Sequence, residues 1–244
     1  MKIIQSIPGI FTAIKNYRIL EKHKKAILDA KEAGDKETEM KHISLATSSW
    51  AEAMCRDFNV KIEVHGRENL PTEGPVVYMA NHQGYADIVA LFKELNNFQF
   101  GFIAKKELCK LPLYGKWMPI TNSIAMDRGN PRASLKAISD GANLLKEGYS
   151  LAIFPEGTRS QGPDMNEFKP GAMKLATKAK APIVPISIDD SYTVYESQGT
   201  FKSGTIKLLI HPTIETKDMT KAEEKGLNDL VFNTINDGLK ELRK

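Results

Sequence analysis

Residues 76–87 read VVYMANHQGYAD, and this stretch decides how the chain folds. The apolar run 76–80 predicts a buried strand, because continuous apolar segments are typical of strands that are covered on both faces of a sheet. Asn81 and Gly84 predict a turn directly after it, and Asp87 is a residue type that often begins a helix. A strand, a turn and a helix in this order indicate an α/β architecture.

Predicted strands and helices alternate in the same way along the chain after residue 60. Candidate strands cover 61–65, 76–81, 99–104, 123–127, 150–154, 183–188 and 205–211. Candidate helices cover 87–95, 132–146, 171–178 and 221–242. This alternation predicts an α/β fold with a mixed, largely buried β-sheet flanked by helices.

The first 60 residues have helical periodicity instead. Two apolar stripes recur at helical spacing, one formed by Ile3, Ile7, Ile10, Ile14 and Tyr17, the other by Ile43, Trp50, Met54 and Phe58. Pro8-Gly9 predicts an early break, and Gly34-Asp35 predicts a turn between two helices. We therefore expect an amphipathic two-helix segment over residues 1–60, followed by an α/β domain over 61–244.

Composition excludes several classes of protein. The 244 residues are 41% hydrophobic and 26% charged, with two cysteines that form no CxxC pair. These values are ordinary for a globular chain and exclude a wholly disordered, collagen-like or disulfide-dense one. The longest stretch without a charged residue, 74–86, is shorter than the roughly 18–20 apolar residues of a membrane-spanning helix. The cysteine usage suggests a reducing compartment.

The net charge of +4 is unevenly distributed. Residues 1–25 carry six basic residues against Glu21, and residues 101–136 carry seven against Glu107 and Asp127, so each zone has a net charge of +5. The rest of the chain is acidic. Two basic zones on an acidic background predict two anionic partners, or one partner that is contacted twice.

His82 and Asp87 are the first candidate site. His82 follows the predicted strand, and ligands of α/β sheets gather at the carboxyl ends of strands. Five residues of separation across a turn allow the Asp87 carboxylate to reach the imidazole, where it fixes the tautomer and stabilises the imidazolium. The alternative is structural, with Asp87 as a helix cap and His82 as a turn residue whose ring is satisfied locally.

A second candidate segment, FPEGTRS, occupies residues 154–160 directly after another strand. Gly157 permits a close backbone approach, Arg159 offers a planar fork of donors, and Thr158 and Ser160 offer hydroxyls. That combination suits a phosphate. The alternative is an ordinary turn with a surface salt bridge between Glu156 and Arg159, worth about 0–1 kcal/mol.

The second basic zone contributes two further cations at strand ends. Lys105 and Arg128 each follow a predicted strand and could converge with Arg159 on one dianion, although a charge run by itself more often forms a solvated face. Segment 181–187, APIVPIS, predicts a strand with an edge or bulge at its prolines. It could also form a pocket wall, but plain core is the stronger interpretation.

Four segments in this order resemble the glycerolipid acyltransferase family, which includes the lysophosphatidate (1-acyl-sn-glycerol-3-phosphate) acyltransferases. The family carries NHxxxxD, KxxLxxxPxxG…DR, FPEGTRS and late VPI-type blocks. They are present here as NHQGYAD, KKELCKLPLYG…MDR, FPEGTRS and IVPISI, within about residues 60–190. The complete FPEGTRS block looks most like the bacterial lysophosphatidate type.

The resemblance implies a glycerol-3-phosphate acyltransferase-like fold and a role for each block. His82 would be the general base and Asp87 its orienting partner. The acceptor's phosphate and glycerol would be bound by Lys105, Arg128, Glu156, Gly157 and Arg159. Pro185 would be a wall on the acyl side. The implied reaction moves a fatty acyl group from acyl-CoA or an acyl–acyl carrier protein to lysophosphatidate, giving phosphatidate for phospholipid synthesis. No bound cofactor, metal or covalent enzyme intermediate is implied.

A lipid substrate also gives the N-terminus an interpretation. Basic amphipathic helices bind membrane surfaces, so we expect residues 1–60 to dock on anionic phospholipids. The enzyme would then be peripheral (monotopic) on the cytoplasmic face of the cell membrane. The alternative is that the apolar stripe packs on the catalytic domain.

Three other functions stay open at this point. One is a related acyltransferase with glycerol 3-phosphate or another lysophospholipid as acceptor. The second is a metal-dependent phosphohydrolase, although the remaining histidines lack the spacing of metal ligands. The third is a non-catalytic protein that binds lipid or nucleic acid, and the absence of aromatic residues interleaved with the basic ones argues against nucleic acid.

Overall fold

The computed structural model describes residues 2–96, 98–111 and 114–244, and the side chains of 2–10 and 13 are outside that description. Its helices are α1 (Lys2–Ala33), α2 (Lys36–Asp57), α3 (Ala86–Glu94), α4 (Tyr114–Trp117), α5 (Pro131–Lys146), α6 (Met173–Ala179) and α7 (Lys221–Leu242). Its strands are β1 (Val60–His65), β2 (Val77–Ala80), β3 (Phe100–Lys105), β4 (Ile124–Met126), β5 (Ser150–Ile153), β6 (Ile183–Asp189) and β7 (Gly204–Ile210).

The strands form one seven-stranded sheet in the order β1-β7-β6-β2-β5-β3-β4. Strand β2 is central and pairs in parallel with β5 and β6. The β6–β7 pair is antiparallel, which makes the sheet mixed. All residues of β2, β5 and β6 are buried. The predicted α/β class and the mixed, largely buried sheet are therefore confirmed, and every predicted strand is present.

Helices cover both faces of the sheet. Tyr78 packs in a core that includes residues of α2 and α3, whereas its neighbour Val77 packs against α5, α6 and α7. This division follows from the alternation of side chains along a strand. The carboxyl ends of β2, β5 and β6 meet at one edge, because parallel strands point the same way, and the predicted site segments start there.

The N-terminal helices form the expected hairpin. Gly34, with φ +71°, makes the turn, and the Asp35 side chain caps α2 by accepting from the Thr38 amide at 3.1 Å. The break expected at Pro8-Gly9 is wrong, because α1 continues through both residues. Pro8 lies in only the second turn of the helix, so it forgoes a single bond to the carbonyl four residues earlier.

The hairpin packs on the rest of the fold. Leu20, Ile27 and Ile43 form a buried cluster with Trp117 and Ile120. In contrast, Phe11 and Ile14 are exposed, at 67% and 48%. The side chains of Ile3, Ile7 and Ile10, which complete the predicted stripe, lie outside the description. The division into a 1–60 segment and a 61–244 domain stays a prediction.

No helix in the described part of the chain is both long enough and apolar enough to span a membrane.

A buried carboxylate joins the hairpin to the sheet domain. Glu39 of α2 is 2% exposed and accepts hydrogen bonds from Asn122 Nδ2 at 3.0 Å and from the Tyr149 hydroxyl at 2.8 Å. Lys31 Nζ lies 3.7 Å away. Burial and the adjacent Glu39 carboxylate raise the pKa of Tyr149, so its hydroxyl remains a donor.

Replacing Glu39 by alanine should destabilise the fold. The change leaves the Asn122 amide and the Tyr149 hydroxyl buried without their partner, which costs about 2–3 kcal/mol and lowers Tm by roughly 4–12 °C for a chain of this size. Thermal unfolding of Glu39→Ala measures the effect, with Glu52→Ala, an exposed position of the same helix, as control. Equal melting temperatures for the two variants would contradict the linking role of Glu39.

Candidate active site

His82 lies in the turn after β2, where the structure brings it to Asp87. The imidazole Nδ1 is 2.7 Å from Asp87 Oδ2. The ring stacks on Phe154, with centroids 3.9 Å apart and an interplanar angle of 8°. With Nδ1 engaged, Nε2 is the nitrogen that can take a proton, and no described residue hydrogen-bonds to it. The predicted His82–Asp87 pair is thus present in the fold.

Asp87 is held by three donors. The carboxylate, which is completely buried, accepts from His82 Nδ1, from the Gly84 amide at 2.9 Å and from the Ser191 hydroxyl. It lies in the first turn of α3, where the helix dipole also favours a negative charge. These contacts fix the carboxylate, and through it the plane and tautomer of the His82 ring.

A hydrogen-bond network extends from the buried Asp87 carboxylate to Arg243. Ser191 donates its amide to Gln83 Oε1 at 3.2 Å, and Gln83 Nε2 donates to Asp189 Oδ1 at 3.0 Å. Arg243 then makes two hydrogen bonds to Asp189, at 2.8 and 2.9 Å. Burial works against the Asp189 charge, but the bonds from Arg243 and Gln83 bring the pKa of Asp189 below its ordinary value.

Sequence reasoning missed this network because its contacts join residues far apart in the chain. Ser191 and Asp87 are separated by 104 positions. The local signal near Ser191 was a polar triplet, Asp189-Asp190-Ser191, immediately after an apolar strand. Such triplets are typical of ordinary turns, so the pattern alone did not single out Ser191.

Glu156 is hydrogen-bonded to the backbone of the His82 turn. Only 1% exposed, its carboxylate accepts from the His82 amide at 2.6 Å and from the backbone and side-chain nitrogens of Asn166, both at 2.8 Å. Burial raises the pKa of Glu156, although these hydrogen bonds favour the charged form. In the structure, Glu156 therefore fixes the backbone of His82 through the hydrogen bond to its amide. The predicted contact with the acceptor remains a prediction.

The rest of FPEGTRS runs alongside the same turn. The Ser160 amide donates to the His82 carbonyl at 2.8 Å, and the Gln161 amide donates to the Gln83 carbonyl at 3.1 Å. Gly157 adopts φ +74°, a backbone conformation that side-chain-bearing residues rarely take. The predicted functional segments 81–87 and 154–160 thus form one unit.

The three predicted cations contact three different groups. Arg159 Nη1 is 2.7 Å from Glu196 Oε1, and the Arg159 guanidinium lies 3.7 Å from the centroid of the Tyr85 ring. Arg128 donates to the Gly157 carbonyl, and Lys105 lies 3.7 Å from Glu107. Arg128 therefore contacts the loop that carries Arg159, while convergence of all three on one anion stays a prediction. Pro112 of the Lys105 block lies outside the described residues.

Pro185 lies within β6, paired with Met79 of β2. It is buried in the sheet, and its carbonyl accepts from the His211 amide at 3.0 Å. Pro185 is not among the lining residues of the apolar cavity described next, so plain core describes its surroundings. Its role as an acyl-side wall remains a prediction.

An apolar cavity of about 190 Å³ lies between the hairpin and the sheet. Phe102 forms part of its wall and stacks on Phe154 at 5.7 Å, and Phe154 stacks on His82. A column of three rings therefore connects the imidazole to the cavity. The other contributors include Leu20, Trp50, Ile88, Phe92 and Trp117.

A second, larger cavity of about 910 Å³ adjoins the FPEGTRS loop on the α5 side. Phe154 and Glu156 border it, and both also contact His82. Arg128, Gly157 and Lys169 supply polar and cationic groups to its lining. The His82 turn is thus flanked by an apolar space and by a more polar one.

The chain is similar to proteins with one recurring description. A family model described as Acyltransferase matches residues 61–189. A protein named 1-acyl-sn-glycerol-3-phosphate acyltransferase from Chlamydomonas reinhardtii is 36% identical over 168 residues, which are 68% of this chain and 50% of that protein. One of the same name from Bacillus subtilis is 31% identical over 181 residues, which are 74% of this chain and 87% of that protein.

A solved structure extends the similarity to the whole fold. The 1-acyl-sn-glycerophosphate acyltransferase PlsC from Thermotoga maritima superposes with a TM-score of 0.82 at 25% identity, covering 100% of this chain and 98% of that one. Against its algal and plant relatives, this chain spans only about half of their length. The family match covers more than half of the chain and includes the His82 and FPEGTRS segments, so the protein belongs to the acyltransferase family.

Proposed function

We propose that this protein transfers a fatty acyl group from an acyl thioester to the free hydroxyl of lysophosphatidate, giving phosphatidate. The observation that carries the proposal is the His82–Asp87 pair at 2.7 Å, placed between an apolar cavity and a cation-bearing loop. The names of the similar proteins support the choice of acceptor. Acyl-CoA and acyl–acyl carrier protein both present the thioester, and either serves as co-substrate.

In this mechanism His82 acts as the general base. Nε2 takes the proton of the acceptor hydroxyl as that oxygen attacks the thioester carbonyl, and a tetrahedral intermediate forms. Its collapse breaks the carbon–sulfur bond, and the imidazolium returns the proton to the departing thiolate. Asp87 stabilises the transient imidazolium through Nδ1. Proton transfer of this kind contributes about 10²–10⁴-fold to the rate. No enzyme nucleophile is required, because a thiolate is a good leaving group.

In this proposal, one side of His82 binds the phosphate and glycerol of the acceptor, and the other side binds an acyl chain. Arg159, Arg128, Lys105 and the Gly157 backbone hold the acceptor's phosphate and glycerol, and this placement brings the hydroxyl to Nε2. The apolar cavity receives an acyl chain. Phe102 belongs to its wall, and the stacked ring of Phe154 connects Phe102 to His82.

We further propose that the protein works as a peripheral enzyme on the cytoplasmic face of the cell membrane, docked on anionic phospholipids by α1. Phe11 and Ile14 present apolar side chains to solvent, and Lys15 beside them is 73% exposed. Each basic residue near an anionic leaflet adds about 1 kcal/mol of attraction. Docking brings the site to substrates whose transfer into water would cost about 0.8 kcal/mol per methylene.

Replacement of His82 by alanine should reduce transfer by at least about 10²–10⁴-fold, because the general base is lost. The assay supplies lysophosphatidate with acyl-CoA or with acyl–acyl carrier protein and measures phosphatidate. His65→Ala, an exposed histidine of β1, is the matched control and should transfer at the wild-type rate. Wild-type turnover by the His82 variant would overturn the mechanism. Transfer by the wild type to glycerol 3-phosphate in preference to lysophosphatidate would overturn the acceptor.

Replacement of Ser191 by alanine should lower kcat about tenfold, because Asp87 Oδ1 loses the hydroxyl that holds it. The KM values for acceptor and donor should stay close to those of the wild type, since Ser191 is completely buried and its side chain does not meet either substrate. Steady-state kinetics separate the two effects. Ser197→Ala, in the same segment, is the control, and an equal kcat for both variants would count against a positioning role for Ser191.

A Phe11→Ser, Ile14→Ser double variant should bind vesicles of anionic phospholipid more weakly than the wild type. These changes remove exposed apolar groups and spare the buried part of α1, which a deletion of residues 1–25 would disrupt because Leu20 packs in the core. Co-sedimentation measures binding. Leu230→Ser is the matched control, because Leu230 has the same 48% exposure as Ile14. Equal sedimentation of the double variant and the control would argue against docking through α1.

A further inference from the structure

Glu196 is a buried acid outside all four sequence blocks. It follows the short 3-10 helix Ser191–Val194, and its side chain is only 2% exposed. Acidic side chains are seldom buried to this extent unless they are paired. Its surroundings therefore need an explanation that the resemblance did not supply.

The carboxylate joins the two halves of the site. Its Oε1 accepts from the Tyr85 amide at 2.9 Å and from Arg159 Nη1 at 2.7 Å. Tyr85 belongs to the turn that carries His82, whereas Arg159 belongs to FPEGTRS. The ring of Tyr85 also lies 3.7 Å from the guanidinium. Arg159 is thus held between an aromatic face and an anion that is itself anchored to the His82 turn.

The second oxygen of Glu196 shows that the site is built at some cost in stability. Oε2 is buried, and among the described residues it has no hydrogen-bond partner. A buried, half-satisfied carboxylate is destabilising relative to an apolar side chain. Gly84 leaves room for it, since a Cβ at that position would lie 2.8 Å from Glu196 Cδ and still closer to Oε2. A carboxylate in such surroundings is poorly explained by stability alone.

We propose that Glu196 is a positioning residue that aims Arg159 at the acceptor's phosphate and ties its placement to that of His82. The inference rests on the proposed function and adds a residue to it. Glu196 occupies only Nη1 in the described structure, so the remaining guanidinium donors are available to a phosphate. A guanidinium already held in place loses less side-chain entropy on binding.

This arrangement predicts an effect on acceptor binding. Glu196 is buried beneath Arg159, which keeps 26% of its side-chain surface, so the acid itself does not meet the phosphate. Its negative charge would weaken phosphate binding if charge were its contribution. The contribution is instead the hydrogen bond that fixes the guanidinium, and glutamine, which retains an acceptor oxygen, can supply that bond.

The test is steady-state transfer kinetics of the full chain, with lysophosphatidate and the thioester donor that the wild type uses varied separately. Glu196→Ala should raise the KM for lysophosphatidate about 10–100-fold, the size expected for a lost hydrogen bond to a charged group. The kcat and the donor KM should stay within about threefold of the wild type. Glu196→Gln should raise the acceptor KM by no more than about threefold. Glu68→Ala, at an exposed position after β1, is the control.

A double-mutant cycle with Arg159→Ala separates positioning from general damage. If Glu196 acts through Arg159, adding Glu196→Ala to the Arg159→Ala variant changes the acceptor KM by less than about twofold. Additive effects, an unchanged acceptor KM in Glu196→Ala, or an equal loss with both substrates would overturn the inference. If the alanine variant fails to melt cooperatively, Glu196→Asp, too short to reach both donors, takes its place with the same expected result. Wild-type protein without any transfer would overturn the proposed function as well, whereas the other failures leave it standing.

Discussion

The completely buried carboxylate of Asp87 is the constraint on which the site depends. An isolated carboxylate in a protein interior is very costly, so it is tolerated only where donors surround it. Here the donors come from three places, the His82 ring, the Gly84 backbone and the Ser191 hydroxyl. The turn after β2 and the segment after β6 must therefore adopt one relative arrangement. The same arrangement turns His82 Nε2 away from its partner and leaves it available.

A second buried acid, Glu156, helps to join the turn after β2 to the FPEGTRS loop after β5. Glu156 bonds to the His82 amide, while two backbone hydrogen bonds join residues 82 and 83 to residues 160 and 161. Glu196 joins the same two segments again, because it accepts hydrogen bonds from Tyr85 of the His82 turn and from Arg159 of FPEGTRS. Buried polar groups of this kind are specific in their geometry, because each unsatisfied atom is penalised in a low-dielectric interior. The two loops are thus joined by several hydrogen bonds, although neither belongs to a strand or a helix.

Much of this architecture could be predicted from sequence, and the part that could not has a physical reason. Apolar runs such as 76–80 identify strands, and spacing places Asp87 within reach of His82, because both signals are local. Ser191, Glu196 and Arg243 form hydrogen bonds with partners about 40 to 110 positions away, so no periodicity marks them. The contacts of Glu156 are also hard to predict from the sequence. Its place in FPEGTRS predicts contact with the acceptor, which stays a prediction, whereas the hydrogen bonds of its buried carboxylate to Asn166 and to the backbone of His82 have no local sequence signal.

The position of the hairpin connects the proposed membrane docking to the proposed chemistry. Leu20 and Trp50 of the hairpin form walls of the apolar cavity, while Phe11, nine positions before Leu20 on the same helix, is exposed. At 1.5 Å of rise per residue, that separation is about 14 Å, less than the extended length of a long fatty acyl chain. A helix that rests on a lipid surface near Phe11 therefore places the cavity within the reach of a chain leaving the bilayer. On the proposed function, an acyl chain would pass from lipid to protein along apolar surface, and its methylenes would avoid the cost of entering water. The buried contacts of the hairpin with Trp117 and Ile120 fix its position on the fold, and on the proposed function they hold the wall of the cavity in place for that chain.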